Sequence, residues 1–193
     1  MQIVHYPHPA LRWVSKPVRE VNDEIRRIAG EMLELMYASK GIGLAANQVA
    51  MPLQLFVLNP KSDPNQKEGE RVFINPRIID RKGLVEEEEG CLSLPGIFAK
   101  LKRAERIKIT ATGLDGQPFE HEAEGLASRA IQHEVDHLQG ILFTDKLNPL
   151  EKIRVIMKIR EFEKNFRHGQ RAGEIPANDA IAKSLQELEA AHC

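Results

Sequence analysis

Apolar residues recur every three or four positions at Ile25, Ile28, Ala29, Met32, Leu35 and Met36, with Glu and Arg between them. That period predicts an amphipathic helix, capped by Asn22 or Asp23 and ending near Ser39. Before it, residues 1–20 carry prolines at 7, 9 and 17 and read as an extended arm. After it, residues 53–58 are apolar apart from Gln54 and bounded by prolines, the pattern of a buried strand. Residues 60–70 are polar and predict a surface loop. Strand-like runs follow at 71–74, 78–79, 83–85, 97–101, 107–112 and 118–123, with the Asp115-Gly116 pair as a hairpin turn. The period then returns to helical over 124–138. A further helix is predicted from Pro149, a favoured first-turn residue, to about 166. Residues 169–177 read as a linker, and 178–191 as a short helix with Ile181, Leu185 and Leu188 on one face. A helix, a block of strands and then helices predict an α+β fold. The expected organisation is one catalytic domain, 1–168, and a C-terminal extension, 169–193.

Composition narrows the class. Hydrophobic residues make up 42% and charged residues 28%, which argues for a packed core and against disorder. A formal net charge of −1 gives no global attraction to nucleic acid. The two cysteines, Cys91 and Cys193, cannot build a disulfide framework, so a reducing compartment is expected. No signal-peptide pattern and no apolar run long enough for a membrane span are visible, so the expected location is the cytoplasm, with no membrane partner.

The strongest chemical signal is His133-Glu134-Val135-Asp136-His137, inside the predicted helix 124–138. Positions i and i+4 share a helix face, so both imidazoles can reach one metal ion, and Glu134 can act on a bound water. Leu126 and Ala130 lie on the same stripe and would form an apolar wall below the ion. A catalytic site needs a third protein ligand and an open position. Glu151 or Glu161 from the next helix would make a thermolysin-like set. Cys91 is the other candidate, because a thiolate suits a borderline divalent metal. Taken alone, Cys91 reads as a small buried hydrophobe before it reads as a ligand. The neighbouring run Glu86–Glu89 reads as a solvated face.

The segment Gly41-Ile42-Gly43-Leu44-Ala45-Ala46-Asn47-Gln48 is no nucleotide loop, since it follows a helix and lacks the third glycine of that fingerprint. Its small residues permit close approach of an extended ligand, and the Gln48 amide is a donor suited to an oxyanion.

Together, Gly41-x-Gly43-x-Ala45-Ala46-x-Gln48, Glu89-Gly90-Cys91-Leu92-Ser93 and His133-Glu134-x-Asp136-His137 resemble, in order, the three signature motifs of bacterial peptide deformylases. The similarity extends over roughly 1–165, including Ile3-Val4-x-Tyr6-Pro7 at the start and Gly140-x-Leu142-Phe143 after the metal helix. The resemblance implies antiparallel sheets packed around the metal-binding helix. It implies that Cys91, His133 and His137 bind one ion, Fe²⁺ in the cell, with Zn²⁺, Ni²⁺ or Co²⁺ as substitutes. Glu134 would be the general acid/base, with Gln48 and the Leu92 N–H as oxyanion donors. The reaction would remove the formyl group from N-formylmethionyl nascent chains and release formate. The substrate backbone would pair beside Gly43 and Gly90. Its Met side chain would enter a pocket formed by Ile42, Leu126, Ala130 and His133, with the aliphatic part of Arg129 at the edge.

Two features depart from the family pattern. Phe98 stands where some members carry a rim arginine, and the C-terminal extension is unexplained by the motifs. Residues 150–171 hold seven Lys/Arg against three Glu, which suggests either a solvated helix or contact with ribosomal RNA. The tail from 172 is a candidate homodimer contact. Two competing readings are a thermolysin-like protease using Glu161 and a non-catalytic, metal-bearing ribosome-binding factor.

Overall fold

The computed structural model describes residues 1–193. Five antiparallel strands, β1 (Gly43–Ala45), β2 (Leu55–Leu58), β3 (Arg71–Lys82), β6 (Arg106–Thr112) and β7 (Pro118–Glu124), form one sheet in the order β1-β2-β3-β6-β7. A separate hairpin pairs β4 (Val85–Gly90) with β5 (Phe98–Arg103). Four helices accompany them: α1 (Asp23–Ala38), α2 (Gly125–Leu138), α3 (Pro149–Ala172) and α4 (Asn178–His192). The α+β reading holds.

The large sheet is covered on both faces at its β1–β2 end, which explains the uninterrupted apolar run of β2, while β6 alternates buried and more exposed positions. Alternate residues of a strand point to opposite faces. Leu44, Leu55, Val57, Val72 and Ile74 pack with Ile25, Ile28, Met32 and Met36 of α1. The intervening Ala45, Phe56, Leu58 and Phe73 pack with Ala130, Ile131, Val135 and Leu138 of α2. Helix α2 is therefore central, and every residue from Ser128 to Leu138 is buried. A third apolar cluster joins Leu94, Ile97, Ala99 and Leu101 to Leu142, Phe143 and Val155.

Helix α1 begins and ends where expected, with the Asn22 side chain accepting from the Ile25 N–H. Several expectations need correction. The runs 71–74 and 78–79 belong to one strand, β3. The sequence reads as broken because register shifts follow Ile74 and Ile78, and Asn75 takes a left-handed φ of 53°. The run 83–85 is mostly the connection between β3 and β4, and the glutamates after it form strand β4, with Glu86, Glu87 and Glu88 solvated as expected and Glu89 not. Pairing with β5 turns the Glu89 side chain inward while Glu86 and Glu88 stay exposed.

Helix α3 runs to Ala172, so the linker expected from 169 begins at Gly173, whose left-handed φ of 75° ends the helix. Helix α4 follows and folds back on its own chain. Ile181 and Leu185 are buried with Ala10 and Phe166. Trp13 Nε1 donates to Glu189 at 2.9 Å, and Arg19 Nη2 donates to the Cys193 carbonyl at 2.6 Å. No helix is long and apolar enough to cross a membrane.

Candidate metal centre and active site

The i, i+4 spacing on α2 brings His133 Nε2 to 3.1 Å from His137 Nε2. Cys91 follows β4 directly, and its Sγ lies 3.3 Å from His137 Nε2. The three ligand atoms lie within 4.8 Å of one another. Bonds of about 2.1 Å to nitrogen and about 2.3 Å to sulfur, in a tetrahedral set, place neighbouring ligand atoms about 3.3–3.6 Å apart. The observed spacing therefore fits a shared divalent ion. Burial works against charge on both rings and keeps His137 neutral, whereas at His133 the contacts with Cys91 and Glu89 outweigh burial and favour the protonated ring, which would release its Nε2 proton to an ion. Glu161 is exposed on α3, and Glu151 pairs with Arg154 at 2.9 Å. Neither joins the cluster, and the thermolysin-like set is absent.

The orientation of His133 is fixed from behind. Its Nδ1 lies 2.6 Å from Glu89 Oε1, so the ring donates to this carboxylate and turns Nε2 toward the cluster. Glu89 is gripped by Arg103, with Nε and Nη2 at 2.8 and 2.6 Å. Arg103 Nη1 donates to Asp136 of α2 at 2.7 Å, and Lys146 Nζ meets the same carboxylate at 2.6 Å. Burial alone would raise the Glu89 carboxyl, but the bonds from Arg103 and His133 outweigh it and hold the group at about 2. The same burial works against the Arg103 charge, and Glu89 with Asp136 more than compensates.

These partners were missed in the sequence. Asp136 was visible inside the His-Glu-x-Asp-His motif, but nothing local marked Arg103, 33 residues away.

Glu134 points the other way on α2. It is 4% exposed, its Oε2 has no partner, and burial pushes its carboxyl up to about 7. Room for it is made by Gly43, where a Cβ would lie 2.5 Å from Glu134 Oε1. Gln48 is 1% exposed, and its Oε1 accepts the Ala45 N–H at 2.9 Å. That bond orients Gln48 Nε2, which lies 3.5 Å from Cys91 Sγ and 3.3 Å from Ser93 Oγ. The Leu92 N–H has no acceptor within the chain. Leu92 itself packs against Gly41, where a Cβ would meet Leu92 Cδ1 at 2.7 Å.

A cavity of about 450 Å³ opens onto His133, Glu134, Cys91 and Gln48. Ile42, Gly43, Gly90, Leu92, Leu126, Arg129 and Ala130 also line it, so one cavity collects all the expected site residues except His137 beneath it. Leu126 is 55% exposed and stands at the mouth, while Ala130 is buried deeper. The Arg129 guanidinium is turned away from solvent, donating to the carbonyls of Val85, Glu87 and Leu101. It straps the β4–β5 hairpin to α2 as well as lining the cavity.

The polypeptide deformylase family model matches residues 1–153. A peptide deformylase of Alkalilimnicola ehrlichii is 46% identical over 173 residues, covering 88% of this chain and 93% of that protein. The chain belongs to the peptide deformylase family. It is thus an amide hydrolase that removes the formyl group from N-terminal formylmethionine. Solved deformylase structures agree in fold. Peptide deformylase 1B of Arabidopsis thaliana, in complex with an inhibitor, superposes with a TM-score of 0.84 at 36% identity, covering 90% of this chain and 94% of its own. The Plasmodium falciparum deformylase gives 0.84 at 38% identity, covering 86% and 98%. The Synechococcus elongatus deformylase, solved with actinonin, gives 0.78 at 38% identity, covering 82% and 86%.

Proposed function

We propose that Cys91, His133 and His137 hold one divalent ion, Fe²⁺ in the cell, with Zn²⁺, Ni²⁺ or Co²⁺ able to replace it. The mixed thiolate and imidazole donor set suits these borderline metals. When bound, the ion supplies Lewis acidity toward water and the formyl carbonyl. Everything else in the reaction is assigned to the chain's own groups. Glu134 takes a proton from water and returns it to the leaving amine. Its carboxyl, raised to about 7 by burial, is suited to both transfers near neutrality. Gln48 Nε2 and the Leu92 N–H donate to the oxyanion that develops on the formyl oxygen.

The substrate is the N-formylmethionyl end of a nascent chain in the cytoplasm. Its backbone adds as a strand beside Gly43 and Gly90. Its methionine side chain fills the space between Ile42, Leu126, Ala130 and His133, and the Arg129 strap keeps the β4 side of that space in place. Contact with the ribosome is assigned to α3, whose outward face carries the exposed Arg160, Lys164, Arg167 and Arg171. Phosphate contacts through these groups would weaken with salt. The apolar face of α4 is covered within its own chain, so a homodimer through the tail is not part of the proposal.

The observation that carries the reading is a buried Glu134 with an unpartnered oxygen, in the cavity reached by Cys91 and His133. Formate release from formyl-Met-Ala-Ser by protein reconstituted anaerobically with Fe²⁺ or Ni²⁺ tests it. Glu134→Ala should keep the ion and lose on the order of 10²–10⁴-fold in kcat. Full activity in that variant would sink the assignment. The same assay separates an enzyme from a non-catalytic ribosome-binding factor, which would release no formate.

A further inference from the structure

Three separate stretches of chain supply the site: the 3-10 turn Ala46–Val49 that carries Gln48, the Cys91–Ser93 segment and helix α2. The N-terminal arm touches all three through its backbone. The Val4 N–H donates to the Gln48 carbonyl at 2.8 Å, and the Tyr6 N–H donates to the Ser93 carbonyl at 3.0 Å. The two donors lie two residues apart on the arm, so one short stretch of it serves both segments. Gln48 and Ser93 are themselves joined side chain to side chain at 3.3 Å. The result is a closed ring: Val4 to Gln48, Gln48 to Ser93, Ser93 to Tyr6, and back along the arm.

Further along, Asn47 Nδ2 donates to the Ala10 and Trp13 carbonyls at 3.2 and 2.7 Å, and Ser15 Oγ donates to Asn47 Oδ1 at 2.7 Å. The Ser15 N–H reaches the Leu138 carbonyl at the end of α2 at 2.9 Å. Helix α4, beyond the matched region of the family model, closes over the arm from outside through Trp13 and Ala10.

We infer that the arm, residues 4–15, is a positioning strap for the Gln48 amide and the Leu92 N–H, and that α4 serves to hold the strap down. Neither arm amide touches substrate. Each fixes the main chain of a segment whose donor must meet the oxyanion, and displacement of such a donor by a fraction of an ångström lowers the rate more than it lowers binding. The inference rests on Gln48 and Leu92 as oxyanion donors.

Val4→Pro removes the N–H that holds Gln48, and Val4→Ala keeps it. In the full-length, metal-loaded enzyme, Val4→Pro should lower kcat about tenfold, with KM for formyl-Met-Ala-Ser within about twofold and the metal content unchanged. Val4→Ala should retain most of kcat. Trp13→Phe keeps the ring and loses the bond to Glu189. It should lower kcat about two- to threefold and speed hydrogen exchange at the Val4 and Tyr6 amides. It is the milder change and covers the case in which the proline variant does not fold.

Unchanged kcat in a folded Val4→Pro enzyme would overturn the strap, as would unchanged exchange and kcat in Trp13→Phe. Gln48→Ala run alongside separates the two levels. If it leaves kcat intact, the donor assignment fails. If it lowers kcat while Val4→Pro does not, only the strap fails.

Discussion

On one side of the cavity, His133 is oriented by charge: Glu89, Arg103, Asp136 and Lys146 form a chain of contacts at 2.6–2.8 Å. On the other side, Gln48 and Leu92 belong to short segments, a 3-10 turn and the stretch after Cys91, whose ties to the arm are neutral main-chain hydrogen bonds. Removing a partner from the charged side leaves an uncompensated ion in a low-dielectric interior. Removing one from the neutral side forfeits about 1 kcal/mol and lets a loop drift. The first side should therefore fail by unfolding or losing the ion, and the second by losing rate while still folded.

Arg103→Met is the hardest blow to the charged side. It takes the two-pronged partner from buried Glu89 and leaves Asp136 to Lys146 alone, and should destabilise the protein by about 3 kcal/mol, read from denaturant midpoints. Loss of only a few tenths would mean that the network contributes little. Gln48→Ala is the matching test of the neutral side. It should fold with its ion bound and lose about 10²–10³-fold in kcat.

Gly43→Ala is smaller. The added methyl meets Glu134 Oε1, so kcat should fall about tenfold while the melting temperature moves little. Acid titration sharpens the contrast further. Glu89 is held at about 2 against an ordinary 4.5, so its stabilising contribution is full above pH 4.5 and drains as pH falls toward 2. Glu89→Gln should flatten that part of the stability curve in metal-free protein, whereas Gln48→Ala should leave it unaltered. Smallest of all is Arg12→Ala. The Arg12–Asp145 pair is about 40% exposed on both sides and solvent-screened, so its removal should shift stability by about 1 kcal/mol or less.

How much of this was legible in the sequence follows the same division. Residues placed by local periodicity could be read directly. The four-residue spacing of His133 and His137, the helix stripe of α1 and the hairpin at Asp115-Gly116 needed only neighbouring positions. The fold class followed from their order. Glu89 was misread because its side-chain direction is set by pairing with β5, not by the glutamates beside it. Asn75 broke a strand on paper but only bulges it in space, because its side chain is satisfied by the Val18 N–H and carbonyl. Arg103 and the arm amides left no local mark at all. Their partners lie tens of residues away, and a backbone N–H carries no side-chain signature. Arg129 was placed at the right cavity but given too small a part, since its bonds go to main-chain carbonyls that no sequence pattern reveals.

The whole scheme turns on Cys91 completing the ligand set of the two α2 histidines. Metal stoichiometry of the wild type, Cys91→Ala and Glu161→Ala, each reconstituted with Ni²⁺ and desalted, tests it most directly. One ion per chain is expected in the wild type and in Glu161→Ala, and loss of both the ion and the formate-releasing activity in Cys91→Ala. An ion retained by Cys91→Ala and lost from Glu161→Ala would contradict it.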